Sequence, residues 1–177
     1  QELILGIFSF FIGTIILPDM SSLAKRQEWD SFSTLLIQSV RIIALITIPI
    51  TFFSFITGEN IITLVYKSNS FDDESVMLTL EAFRYHIIGL FFIAVNRIIS
   101  PAFYAQGNTK SPVVAGIIGF AVNILLALVL VTPMAGGGIA LALTLASLTN
   151  TVFLFVFLSK TKTVSVAVVV QDLILYS

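Results

Sequence analysis

Apolar residues in this chain run on for several helical turns at a time, with short polar stretches between the runs. Crossing a bilayer takes roughly 20 mostly apolar residues in a helix. Lipid offers the backbone no partners, so a spanning segment must bond internally. The runs predict five membrane helices at about residues 1–18, 33–57, 76–104, 112–132 and 138–158, forming one membrane domain over 1–163. A membrane barrel would alternate apolar and polar positions along each strand, which these runs do not do. The expected fold is all-α: a polytopic membrane helix bundle.

The polar stretches set the punctuation. Asp19 to Asp30 reads as a polar connection carrying Lys25, Arg26, Glu28 and Trp29. Residues 58–75 are mixed and acidic, and Ile61, Ile62, Leu64 and Val65 there predict a short helix lying at the interface. Residues 106–111 form a polar turn, and Ser111-Pro112 reads as a helix cap followed by Pro at the first helical position. Thr132-Pro133 ends the fourth span, and Gly136-Gly137-Gly138 is expected to be a tight connection to the fifth. After Lys160 and Lys162, the apolar run Val164 to Val170 is cut off by Gln171 and Asp172, too short for a span, so 164–177 reads as a tail.

Lys25, Arg26, Lys110, Lys160 and Lys162 fall in alternate connections, whereas the 58–75 connection has only Lys67 and the glycine turn has none. The Lys/Arg bias of loops sets orientation, so the lysine-rich end is expected in the cytoplasm. Gln1-Glu2 brings no Met, basic stretch or cleavage site, so the chain is expected to be part of a longer one.

Composition agrees with a membrane setting. The chain is 57% hydrophobic and 11% charged, with a mean hydropathy of +1.04. A soluble domain carries about 25% charged residues. The net charge of −1 leaves no basic excess for phosphates, so no nucleic-acid partner is expected. With no Cys and a single His, His86, neither a metal site nor a cofactor is expected. No metalloprotease, nucleophile-elbow, P-loop or dinucleotide motif is present, so the chain reads as a non-enzyme.

Charges within a span are costly and are functional candidates by default. Arg41 is either a cavity cation for an anionic group or an arginine that snorkels or pairs. Arg97, near the cytoplasmic end of its span, reads as snorkelling. Glu81 and Arg84 share a helix face at i, i+3 and read as a structural pair, and His86 as a hydrogen-bonded interior histidine. Asn123 and Asn150 are expected to bridge helices. Gly138, Ala142, Ala146 and Asn150, spaced by four, form a close-packing stripe on the fifth span.

The segment Gly13-Thr14-Ile15-Ile16-Leu17-Pro18, then Val40-Arg41-Ile42 leading to Ile48-Pro49, resembles the C-terminal half of the MurJ/MviN family. The most specific match is Ser100-Pro101-Ala102-Phe103-Tyr104-Ala105-Gln106-Gly107-Asn108-Thr109-Lys110-Ser111-Pro112. Gly137-Gly138-Ile139-Ala140-Leu141-Ala142 and Asn150 fit the next helix pair, so the resemblance covers roughly residues 1–160. It implies part of a MATE/MOP-like exporter with about fourteen helices in two lobes that rock about a central site. The implied activity is flipping of lipid II, the undecaprenyl-pyrophosphate-linked peptidoglycan precursor, across the bacterial inner membrane. The implied partners are that precursor, membrane lipids and an N-terminal lobe outside this sequence.

On the resemblance, the five spans are helices eight to twelve of the family. Glu2 matches an acidic position on the cavity-lining eighth helix, and Arg41 and Arg97 stand where the family tends to be basic. The family pattern alone makes neither arginine a substrate ligand; the substrate-cavity candidates are Glu2, through the resemblance, and Arg41, through its charge within a span, and residues 164–177 depart from the family pattern. The alternatives are another exporter of the same superfamily, moving a polysaccharide-linked lipid, or a truncated remnant that does not transport.

Overall fold

The computed structural model describes residue 6 and residues 15–66 and 73–161. Glu2, most of the first predicted span and the 164–177 tail lie outside the described residues. Four helices follow in order: α1 (Leu17–Arg26), α2 (Trp29–Tyr66), α3 (Asp73–Ala105) and α4 (Lys110–Lys160). The last three are each long and apolar enough to cross a membrane.

The 19–30 stretch, expected to be a connection, is mostly helix. Ile16 and Met20 are buried, and Leu23 and Ala24 pack on the same core, while Asp19, Ser22, Lys25 and Arg26 face out. That is the stripe of an amphipathic helix. Asp19 in the first turn and Lys25 and Arg26 in the last both suit the helix dipole. Gln27 then turns left-handed at φ 60, and the amides of Gln27 and Glu28 donate to the carbonyls of Ala24 and Leu23, both at 3.1 Å. This closes α1 and starts α2 within two residues.

In α2, Phe32, Leu36, Val40, Ile43, Ala44 and Thr47 recur every three or four positions and are buried. Pro49 removes a backbone donor inside the helix. The Thr47 and Thr51 hydroxyls donate to the carbonyls of Ile43 and Thr47, at 2.7 and 2.8 Å. α2 does not end near residue 57 but continues to Tyr66, so the predicted separate interfacial helix is its last turns. The reason is packing: Ile62 joins Val76, Leu80 and Phe83 of α3 in a second small core. Gly58 lets the two helices close, since a Cβ there would lie 2.8 Å from the Phe83 ring.

Contact registers give the directions. Gly58 meets Phe83 and Leu80, and Ile62 packs with Leu80 and Val76, so positions rise on α2 as they fall on α3: the pair is antiparallel. α3 carries the centre of the main core, with Leu90, Ala94, Val95, Ile98, Ile99, Ala102 and Phe103 buried against Phe32, Leu36, Leu154 and Leu158. It ends in a turn at Gly107, φ +73. The next helix starts after Thr109, and Asn108 just before it, rather than Ser111, supplies the side chain that bonds its first turn. The Asn108 side-chain oxygen accepts from the Ser111 amide at 3.1 Å, and its amide donates to the Ser111 hydroxyl at 2.9 Å. Pro112 still falls in the first turn, where its missing N–H costs nothing.

α4 is two helical arms, residues 110–134 and 136–160, joined at Ala135, whose backbone (φ 46, ψ −124) is not helical. Gly119 lies against Ala146 and Asn150, and Gly138 against Leu130, so the arms fold back antiparallel. The expected glycine connection at 136–138 is thus not the turn. These glycines belong to the second arm and serve close approach: a Cβ on Gly138 would strike the Leu130 carbonyl. Val113, Ile117, Phe120, Ile124 and Leu128 on the first arm are exposed. An apolar stripe of that length is what a bilayer or further helices would cover.

Candidate functional site

A ladder of polar contacts lies between α3 and the second arm. The Thr144 hydroxyl donates to the Tyr85 carbonyl at 2.7 Å, and the Thr151 oxygen stands 3.4 Å from the Phe92 carbonyl while its proton has nearer acceptors. Thr144 and Thr151 are two turns apart, as are Tyr85 and Phe92, so these helices run parallel in one fixed register. Asn96 completes the ladder: its amide donates to the Ser147 carbonyl at 3.1 Å, and its oxygen accepts from Thr151 at 2.9 Å. Gly89 brings the helices together at Thr144, whose Oγ1 lies 2.5 Å from where a Cβ on Gly89 would stand. The sequence reading missed this ladder. The available signal was the paired seven-residue spacing of Gly89 with Asn96 and of Thr144 with Thr151 inside apolar helices.

The small-residue stripe on the second arm faces the first. Gly138, Ala142 and Ala146 are buried, and Asn150 lies against Gly119. Asn123 and Asn150 line a recess of about 210 Å³ between the arms, with Gly116 and Ser147.

The charged candidates divide between the two ends of the bundle. Arg41 on α2 and Arg97 on α3 are both half-buried, and the antiparallel register sets them level with each other in the lysine-rich half. At the other end Glu81 and Arg84 turn to different neighbours. The Arg84 guanidinium lies over the Phe55 ring, 5.4 Å from its centroid. The Glu81 carboxylate lies against Gly137, with Oε1 3.1 Å from where a Cβ would be. Gly137 is in the first turn of the second arm, where a carboxylate meets the positive end of the helix dipole. His86 is half-buried one turn further along. No group of His, Cys, Asp or Glu among the described residues is arranged to hold a metal ion.

A family model described as "Lipid II flippase MurJ" matches residues 1–176. The chain belongs to the MurJ family. That match runs across the stretch after Thr163 as well as the helices. Among curated MurJ relatives, a probable lipid II flippase of Treponema pallidum is 48% identical over 139 residues, covering 78% of this chain and 26% of that protein. The corresponding Bdellovibrio bacteriovorus protein is 29% identical over 129 residues, covering 73% and 25%. A solved structure, "Lipid II flippase MurJ, inward closed conformation", superposes with a TM-score of 0.77 at 24% identity, covering 96% of this chain and 34% of that one. The chain therefore has the fold of one part of a MurJ protein and spans about a quarter of the length of these curated relatives.

Proposed function

We propose that this chain is the second-lobe portion of a lipid II flippase of the bacterial inner membrane. It would work by transport rather than catalysis, with the remaining lobe as its partner. The observation that carries this reading is the family match over residues 1–176. The fold suits the task. A helix bundle locked by interhelical hydrogen bonds can rock as a body about a central site while its outer faces stay in lipid. Of the two cavity candidates, Glu2 and Arg41, Arg41 has the chemistry for a diphosphate, because a guanidinium binds phosphate oxygens in a bidentate, charge-assisted way. Its level beside Arg97 would concentrate positive charge in the half of the bundle from which a cytoplasmic precursor enters.

The test uses the full-length protein that contains this sequence. Expressed in cells depleted of their own flippase, it should restore growth and flip lipid II in proteoliposomes. Arg41→Ala should lower the initial flipping rate at least tenfold, and Arg41→Lys should recover part of it. Transport of a polysaccharide-linked lipid in preference to lipid II would assign the protein to another exporter of the superfamily. Absence of any lipid transport by the full-length protein would refute the reading.

A further inference from the structure

Near the acidic end of the bundle, α2 and α3 leave an open recess of about 450 Å³. Phe55 of α2 and Met77, Leu78 and Ile88 of α3 line it, and all four are exposed. Glu81 and Arg84 stand in the same recess one helical turn apart. Among the described residues the guanidinium's contact is the face of Phe55, not a carboxylate.

The depth of this recess matters. α3 has 33 residues, or roughly 50 Å of helix, against about 30 Å of hydrocarbon. Centred in the bilayer, it overshoots by about 10 Å at each end, which leaves Arg84 about 6 Å inside the boundary. A guanidinium on its flexible stem reaches the headgroups from there. The site therefore offers a cation and a carboxylate at headgroup level, with Phe55 and Ile88 deeper toward the hydrocarbon and Met77 and Leu78 at the headgroups.

We propose that this recess binds a glycerophospholipid with a primary-amine zwitterionic headgroup. The phosphate lies on Arg84, the ammonium on Glu81, and an acyl chain along Phe55 and Ile88. Charge complementarity selects this occupant. Glu81 and Arg84 are offset by about 4.5 Å along the helix, comparable to the two-carbon link between phosphate and amine. An anionic glycerol headgroup would satisfy Arg84 but offer Glu81 only neutral hydroxyl donors, without the charge-assisted bond an ammonium makes. A choline headgroup has no N–H to donate. The proposal does not depend on what the protein transports.

The full-length protein is purified from vesicles holding equal parts phosphatidylethanolamine, phosphatidylglycerol and phosphatidylcholine, and retained lipid is read by native mass spectrometry. Phosphatidylethanolamine should be retained at least fivefold over the other two. Glu81→Gln and Arg84→Gln should each remove that preference, while Lys160→Gln, at the opposite end, keeps it. Circular dichroism of each variant checks folding, and Arg84→Lys should keep part of the retention. Equal retention of the three lipids would overturn the proposal. So would a preference that survives both variants, or phosphatidylglycerol held through Arg84 with no effect of Glu81→Gln.

Discussion

Gly89 tests whether the α3–α4 ladder holds these helices in register. A methyl group at Gly89 would meet Thr144 Oγ1 at 2.5 Å and the Thr144 Cα and Cβ at 3.2 Å. Rotating the Thr144 side chain relieves the first contact but not the second, because the Cα is backbone. Rotation also takes the hydroxyl from the Tyr85 carbonyl. Overpacking typically costs about 1–3 kcal/mol. A lost interhelical hydrogen bond in a membrane costs about 0.6 on average and up to roughly 1.7 kcal/mol. Replacing a mid-helix Gly by Ala returns about 1 kcal/mol of helix propensity. Gly89→Ala should therefore destabilise by about 1–3 kcal/mol, a clear fall in melting temperature of the full-length protein in detergent. Thr144→Ala alone should cost about 1 kcal/mol, within the range for one such bond. In the double variant the Oγ1 collision is gone while the Cα and Cβ contacts remain, so Gly89→Ala should cost less on the Thr144→Ala background than alone. That non-additivity is the signature of direct contact. Additive losses would show that Gly89 and Thr144 act independently and would refute the account of the ladder.

Gly138→Ala should destabilise more than Gly89→Ala, because its new methyl meets the Leu130 carbonyl and no side chain can move aside; a melting temperature equal to that of the parent would refute the folded-back packing of the arms. Ala135→Gly should leave stability unchanged or raise it by about 1 kcal/mol, since φ 46 with ψ −124 strains an L-residue; a clear loss of thermal stability would count against this turn. Asn108→Ala should cost about 0.5–2 kcal/mol by removing the side chain that bonds the first turn of α4, and Asn108→Asp should recover part of that, read from the same melting curves.

The membrane class and the helices were legible because both follow from hydropathy, which is local. Bilayer thickness sets the length of an apolar run, and the sequence states that length directly. Helix ends were less legible, because tertiary packing decided them. The helix α2 outlasts its apolar run because Ile62 finds Val76 and Leu80 across the gap. The polar 19–30 stretch is helical because Met20 reaches the core. Gly136-Gly137-Gly138 looked like a turn because glycine is permissive in turns, yet in a lipid-embedded bundle its small size is equally useful within a helix. The Glu81–Arg84 spacing allows a pair. The three-dimensional neighbours, Gly137 and the Phe55 ring, belong to other helices and leave no trace in that spacing.

If the chain rocks as proposed, the two packing registers predict where its angle changes. Two helices tied at Thr144–Tyr85, Thr151–Asn96 and Asn96–Ser147 cannot slide by a turn without breaking several bonds at once. The first arm of α4 meets the second through glycines and alanine, with no side-chain hydrogen bond between the arms among the described residues, and joins it at one non-helical residue, Ala135. Van der Waals contacts between smooth faces resist tilting far less than a ladder of directional bonds resists slip. Rocking of the lobe should therefore carry α3 and the second arm as one body, with the change in angle taken up between the arms. A spin-label distance between exposed sites on α3 and the second arm should stay constant when substrate is added to the full-length protein, and one between the two arms should shift. The reverse pattern would place the hinge elsewhere.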